Sequence, residues 1–202
     1  MEQVLTPEDK QKIETGIREK YAKVAGSPEG LFRYPTGKAG LEALGYDPGI
    51  LKTLPENILD SFCGVGNPFS LGSVDRGETV LDIGSGGGLD SLVAARMVGA
   101  GGKVVGLDLS PEMVARAYEN LKQTDLTNVA FQEFSGEDLP FPDGSFDVVI
   151  SNGVFNLIPA KGRMLKEACR VLKPNGRLLI ADQVLSGALT KGPQERIDSW
   201  FR

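Results

Sequence analysis

The sequence predicts an α/β fold: a doubly wound, mostly parallel sheet with an N-terminal helical cap. Three observations predict it. From residue 79 onward, short apolar runs alternate with amphipathic helical stretches. The runs are apolar strands, which argues for a parallel sheet covered on both faces. The first of them ends in a glycine-rich turn that opens directly into a helix, which is how doubly wound sheets present a ligand site at their strand ends.

The elements follow in order. "TPEDKQKIETGIREKYAKVA" starts with Thr6 as N-cap, Pro7 at the first helical position and Asp9 three residues after the cap. Ile13, Ile17, Tyr21 and Val24 then recur at three- and four-residue intervals, so an amphipathic helix covering part of the core is expected. Residues 26–60 are cut by Gly and Pro into pieces that read as short helices and loops. With the first helix they are expected to form a cap or lid over residues 1–72. The boundary to the main domain, 73–202, falls near "GSVDRGET".

Five strands are predicted beyond it: "TVLDIG" (79–84), "KVVGLDLS" (103–110), "NVAFQEF" (128–134), "SFDVVISN" (145–152) and "GRLLIADQVL" (176–185), the last entered by a turn at "KPNG". Helices run between them through "LDSLVAARMVG", "PEMVARAYENLKQT" and "KGRMLKEACRVLK", the second capped by Ser110 with Pro111 behind it. On the last helix, Cys169 is expected to lie in the core with Met164, Leu165, Ala168 and Leu172.

Composition narrows the function. The 202 residues carry a net charge of -5, which gives no basic footprint for nucleic acid. No run of 18 apolar residues and no basic-then-apolar leader occurs, so neither a membrane span nor a secretory signal is expected. Two cysteines in a domain of this size fit a reducing, cytoplasmic setting. Histidine is absent. That removes the commonest general base and metal ligand, and no metal site is expected.

The chemistry-bearing motif is "LDIGSGGGLD". Asp82, Gly84, Gly86 and Gly88 form D-x-G-x-G-x-G across a strand end and a helix start. Such glycines let a ligand approach the backbone, and the helix N-terminus favours an anionic group. A nucleoside triphosphate would need G-x-x-x-x-G-K-[ST], which is missing. A dinucleotide would need a third glycine where Leu89 stands. S-adenosylmethionine needs a turn for its amino-acid end, an acid for the ribose and a polar edge for adenine. Asp108 ends the second strand, 20 residues after Gly88, where a carboxylate can accept from both ribose hydroxyls. Glu137 follows the third strand, and Ser151 and Asn152 end the fourth.

These stretches carry a resemblance. "VLDIGSGGGLD", "GLDLSPEMV" and "GEDLPFPDGSFDVVISN" resemble class I S-adenosylmethionine-dependent methyltransferases, which have a Rossmann-like fold. "GYDPGILKTLPENILDSFCGVGNPF" and "DVVISNGVFNLIPAKGRMLKEACRVLKPNGRLLIAD" resemble more narrowly the arsenite methyltransferases, over about residues 30 to 185. The resemblance implies that Asp82, Gly84, Ser85, Gly86 and Gly88 hold the methionine end. It implies Asp108 and Leu109 at the ribose and one adenine face, with Met113 flanking it. Gly136 and Glu137 would meet the adenine edge, and Ser151 and Asn152 would lie under the sulfonium.

The departures concern the acceptor. Where arsenite methyltransferases carry thiols, this chain has Val65 and Gly153, and a further thiol lies in a C-terminal part without a counterpart here. Trivalent arsenic is soft and is held by several thiolates at once, so the implied fold and cofactor carry over better than the implied substrate. A helix and an antiparallel strand pair usually follow the fifth strand in this family, and only 17 residues follow Leu185. An exposed fifth strand is therefore expected, covered by a second subunit or marking a truncated chain.

Cys63 is the weak catalytic candidate. It is read either as a thiol facing the transferred methyl or as a small residue entering the turn "GVGNP". The second reading is favoured, with Cys63 near the cleft. Tyr21, Tyr34, Tyr46, Glu29 and Asp60 are the candidate bases, and Arg33 could meet an acidic substrate. The expected function is a small-molecule methyltransferase. The alternatives are a cofactor-binding protein without turnover, an arsenite methyltransferase fragment and, more distantly, a dehydrogenase.

Overall fold

A computed structural model describes residues 5–184 and Ile197. Helix α1 (Pro7–Val24) begins with the capping box expected of it: the Thr6 hydroxyl accepts from the Asp9 N–H and the Asp9 carboxylate accepts from the Thr6 N–H. Short helices α2 (Gly37–Ala43), α3 (Pro48–Leu51) and α4 (Glu56–Leu59) follow, then a 3₁₀ turn at Pro68–Ser70. The alternating part comprises β1 (Thr79–Ile83), α5 (Leu89–Val98), β2 (Lys103–Asp108), α6 (Pro111–Leu121), β3 (Val129–Glu133), β4 (Phe146–Asn152), α7 (Lys161–Val171) and β5 (Leu172–Ala181).

The sheet is parallel throughout, in the order β3-β2-β1-β4-β5. Register explains its two apolar faces. Val80 stands level with Val104 and Val148, and these pack with Ala94, Ala95 and Val98 of α5. One residue on, Leu81 stands level with Val149 on the other face, where Met164, Ala168 and Val171 of α7 cover it. Period-two side chains on apolar strands therefore feed both layers at once.

Residues before β1 split into two units of packing. Leu41, Leu51, Leu54, Ile58, Leu59 and Phe62 form one core with Leu89, Leu92 and Val93 of α5. Helix α1 instead buries Ile13 and Ile17 with Ile197, against Leu109 and Leu157. It lies across the strand ends, held by ion pairs from Lys10 to Glu137 (2.9 Å) and from Arg18 to Glu133 (3.1 Å).

Three expectations are corrected here. "KPNG" is a bulge inside β5: Phe146 pairs with Leu172 and Val148 with Arg177, and Asn175 takes φ 67°. Cys169 is exposed, because the buried face of α7 passes through Met164, Ala168 and Val171, and the residue next to Ala168 points about 100° away from it. Leu165, expected on the same apolar stripe, is also exposed. Residues beyond Val184, including the predicted strand end at Leu185, lie outside the described residues. Among those described, no helix is long and apolar enough to cross a membrane, and β5 has no neighbour on its outer edge.

Gly88, the N-cap of α5, has φ 86°, and a Cβ there would stand 2.7 Å from the Phe131 ring. Gly88→Ala is expected to cost about 2–4 kcal/mol, combining left-handed strain with overpacking. Gly162, in the first turn of α7 with open space around it, is the control: Gly162→Ala is expected to be neutral or to stabilise by up to about 1 kcal/mol. Urea unfolding of the two variants checks both.

Candidate active site

A cavity of about 230 Å³ opens at the carboxyl ends of β1, β2 and β4, under α1. This is where the strand order reverses, with β2 to one side of β1 and β4 to the other. On the β2 side its wall includes Asp108, Leu109, Gly136 and Glu137; Gly84 and Gly86 come from the glycine turn, and Cys63 and Asn152 face it from the β4 side.

Asp108 organises the first side. Its Oδ2 accepts from the Gly86 N–H (2.8 Å) and its Oδ1 from the Ser110 N–H (2.9 Å). One carboxylate thus joins the glycine turn to the start of α6. Burial pushes the carboxyl up from its ordinary range, and the Ser110 and Gly86 N–H groups pull it back. Each carboxylate oxygen can accept a second hydrogen bond. At Gly86, φ is +52° and a Cβ would meet nothing within 4 Å, so the turn leaves open space for a ligand. Glu137 stands half-exposed at the rim, paired with Lys10 (2.9 Å) and Arg163 (2.8 Å). The Lys10 ammonium, with Arg163, holds its carboxyl below the usual range.

The grouping expected from sequence divides in two. Cys63, Gly84, Gly86, Asp108, Leu109, Gly136, Glu137 and Asn152 line the cavity. Asp82, Ser85, Gly88, Met113 and Ser151 are outside its lining and support it. The Ser91 hydroxyl donates to buried Asp82 (2.6 Å), and Ser151 donates to the Ile83 carbonyl (2.8 Å), tying β4 to β1. Met113 is buried in the first turn of α6, where its N–H donates to the capping Ser110 hydroxyl. It is therefore set behind the cavity wall, outside the lining. Ser85 is buried and its hydroxyl has no partner.

On the β4 side the "CGVGN" corner is fastened from several directions. The Asn152 Oδ1 accepts from the Val65 and Gly66 N–H groups (2.9 and 3.1 Å), and its Nδ2 donates to the Gly66 carbonyl and to Asp90. Tyr34 donates to the Cys63 carbonyl (2.9 Å). Burial, then the charges of Asp108 and Asp90, push the Cys63 thiol up to about 12, against the pull of Lys20. The thiol is therefore neutral at physiological pH. Val65 and Gly153 are neighbours, since a Cβ on Gly153 would lie 3.3 Å from the Val65 methyls.

Most candidate bases are placed away from the cavity or are already engaged. Glu29, Arg33 and Asp60 are exposed and outside the lining. Tyr34 is taken up by Cys63, and buried Tyr46 donates to Asp90 (2.7 Å). Tyr21 does line the cavity, and burial pushes its phenol well up. What the sequence reading missed is the part played by α1, which contributes Lys10, Glu14, Ile17, Arg18 and Tyr21 to the lining. Their spacing of four, three, one and three residues is a helix face and was available as a signal.

An open glycine turn, a carboxylate with spare lone pairs and apolar walls at a switch point define a nucleoside-cofactor site on a doubly wound sheet. Comparison with known proteins agrees. A methyltransferase domain family model matches residues 74–202. An arsenite methyltransferase of Halobacterium salinarum is 36% identical over 98% of this chain and 54% of its own length. An arsenic(III) S-adenosylmethionine methyltransferase of Chlamydomonas reinhardtii superposes with TM-score 0.61 and 36% identity, over 68% of this chain and 50% of that one. An S-adenosylmethionine-dependent methyltransferase of Aquifex aeolicus gives 0.55 and 31%, over 73% of each. The chain belongs to the methyltransferase domain family, of the class I S-adenosylmethionine-dependent kind. It spans about half the length of the Halobacterium relative. S-adenosylmethionine is the cofactor this family implies, and the donor set at Gly86 and Asp108 suits it.

Two outcomes are expected. Iodoacetamide at pH 7.5 modifies exposed Cys169 first and Cys63 far more slowly, read as a single fast adduct by mass spectrometry. The Asp90 carboxyl is pushed up to about 6 by burial. An acid raised in the folded state contributes stability that is present below its unfolded range and is lost as pH rises through about 6. Asp90→Asn removes that loss, so the variant's stability relative to the parent is expected to improve between pH 4.5 and 7.5 in urea titrations.

Proposed function

We propose that the chain is an S-adenosylmethionine-dependent methyltransferase acting on a small-molecule acceptor. The observation that carries the reading is the joining of Asp108 to the glycine turn at Gly86 in one cavity, with a neutral thiol across from it. When bound, S-adenosylmethionine supplies an electrophilic methyl group on a sulfonium. Gly84 and Gly86 would take its amino-acid end. Asp108 would accept from the ribose hydroxyls through its remaining lone pairs. Leu109, Gly136 and Glu137 would bound the adenine.

The acceptor side follows from what its groups can do. Tyr21 and Cys63 are both held protonated by burial, and Asn152 is committed to the corner. A protonated thiol does not compete for the methyl group, and a phenol of raised pKa is a poor base at neutral pH. The reading therefore favours an acceptor that is nucleophilic without losing a proton. Apolar side chains such as Leu107, Phe134, Leu157 and Met164 exclude water from the reaction path.

Arsenite as acceptor is the second reading, favoured by the Halobacterium relative. Against it stand Val65 and Gly153, adjacent at the positions where the resemblance expects thiols. A second copy of the chain along the outer edge of β5, and a reducing compartment for two free thiols, complete the proposal.

Calorimetric titration with S-adenosylmethionine tests the cofactor site. Saturable binding is expected, weakened more than ten-fold in Asp108→Ala, since hydrogen bonds to a charged group contribute roughly 1.5–3 kcal/mol each. Equal affinity in both proteins would overturn the assignment of Asp108. Turnover of arsenite, followed as S-adenosylhomocysteine formation, would favour the second reading.

A further inference from the structure

Asp90 and Tyr46 lie outside the cavity lining, yet their hydrogen bonds converge on the one side chain that fastens the Cys63 corner. We infer that Asp90 and Tyr46 are positioning residues that lock the Asn152 amide in one orientation and, through it, hold the Cys63–Asn67 corner against the cavity. The inference takes its purpose from the functional reading above and its geometry from the structure alone.

The lock is a matter of donors and acceptors. A side-chain amide has two N–H donors and one carbonyl oxygen. In Asn152, Nδ2 donates to the Gly66 carbonyl (2.8 Å) and to Asp90 Oδ2 (2.9 Å), while Oδ1 accepts from the Val65 and Gly66 N–H groups. Turning the amide over would set its oxygen against two acceptors and its N–H groups against two donors. All four contacts would be lost together. From the corner's side the Val65 and Gly66 N–H groups and the Gly66 carbonyl select this orientation. The carboxylate of Asp90, which can only accept, holds the amide's second N–H from the opposite side and adds to the cost of turning it over.

Tyr46 holds Asp90 in place. Its hydroxyl donates to Asp90 Oδ1 at 2.7 Å and lies 3.2 Å from both the Gly66 carbonyl and Asn152 Nδ2. Its ring is fixed edge-on between Phe62 and Phe69, at 5.4 and 6.1 Å between centroids. Asp90 itself sits in the first turn of α5, where the helix N-terminus favours a negative charge. The same turn carries Ser91, which holds Asp82 at the end of β1. The relay thus connects the helix behind the glycine turn with the corner across the cavity. Each polar group has a named partner, which is the condition for a buried network to rigidify its surroundings.

Cys63 reports on the corner directly, so the test needs neither cofactor nor acceptor. In a Cys169→Ser background, the rate of Cys63 modification by iodoacetamide is measured at pH 8 for the parent, Asp90→Ala, Asp90→Asn and Tyr46→Phe. Asp90→Ala removes both acceptors and is expected to raise the rate at least ten-fold. Asp90→Asn keeps an oxygen for Asn152 and an amide for the Tyr46 oxygen, so it is expected to restore the rate to within about three-fold of the parent. Tyr46→Phe keeps the ring and is expected to fall between. An unchanged rate in Asp90→Ala and Tyr46→Phe, each with a cooperative unfolding transition, would overturn the inference. If Asp90→Ala does not fold, Tyr46→Phe alone decides: a parental rate overturns it. An Asp90→Asn rate as fast as that of Asp90→Ala would also overturn it. Failure to bind S-adenosylmethionine with the expected labelling pattern would remove the functional reading and leave the relay standing.

Discussion

The reversal of strand order at β1 is the constraint on which the site depends. With β2 on one side of β1 and β4 on the other, α5 and α7 cover opposite faces of the sheet, and the connections part at the carboxyl end of β1. Register does the rest. Ile83 stands level with Leu107 and with Ser151, so the residues that follow them, Gly84, Asp108 and Asn152, emerge side by side. Hydrogen bonds from the Gly84 and Ser85 N–H groups to the Leu107 carbonyl (2.7 and 2.8 Å) then fold the glycine turn back over β2. The position of every cavity residue from these strands follows from pairing rather than from loop conformation.

Two kinds of polar group surround the resulting cavity. At the β2 side, Asp108 and Glu137 are carboxylates with partners that leave acceptor capacity or balance charge. At the β4 side, Asn152, Tyr46 and Asp90 are spent on one another and on the corner. Groups with spare acceptors and groups with none are thereby separated across β1. Helix α1 closes the arrangement from above, with its apolar residues on Leu109 and Leu157 and its cations on Glu137 and Glu133. The ion pairs are partly solvated and individually weak; Ile13 and Ile17, buried, supply the larger share of its attachment.

Much of this was legible in the residues. Most strands and their helices showed as apolar runs and capped amphipathic stretches, because parallel strands covered on both faces have few polar residues; edge strand β3, with one buried residue, showed more weakly. The Thr6 capping box and the Ser110 cap fell where local chemistry placed them. Long-range pairing was harder to read. Whether Met113 or Leu109 lines the cavity depends on which way one helix turn points after β2. Whether Cys169 or Ala168 is buried depends on a rotation of about 100° on α7. The charged face of α1 reads as solvated until the strand ends beneath it are known. The bond between Asn152 and Asp90 joins residues 62 positions apart, and no local pattern announces such a pair.

The central claim is that the cavity below α1 holds S-adenosylmethionine across Gly86 and Asp108. A crystal structure of the chain with S-adenosylhomocysteine tests it most directly. The account predicts ribose hydroxyls on the Asp108 carboxylate, the amino-acid end over Gly84 and Gly86, and the sulfur on the side of Cys63 and Asn152. Ligand density elsewhere, or a ribose turned away from Asp108, would contradict it.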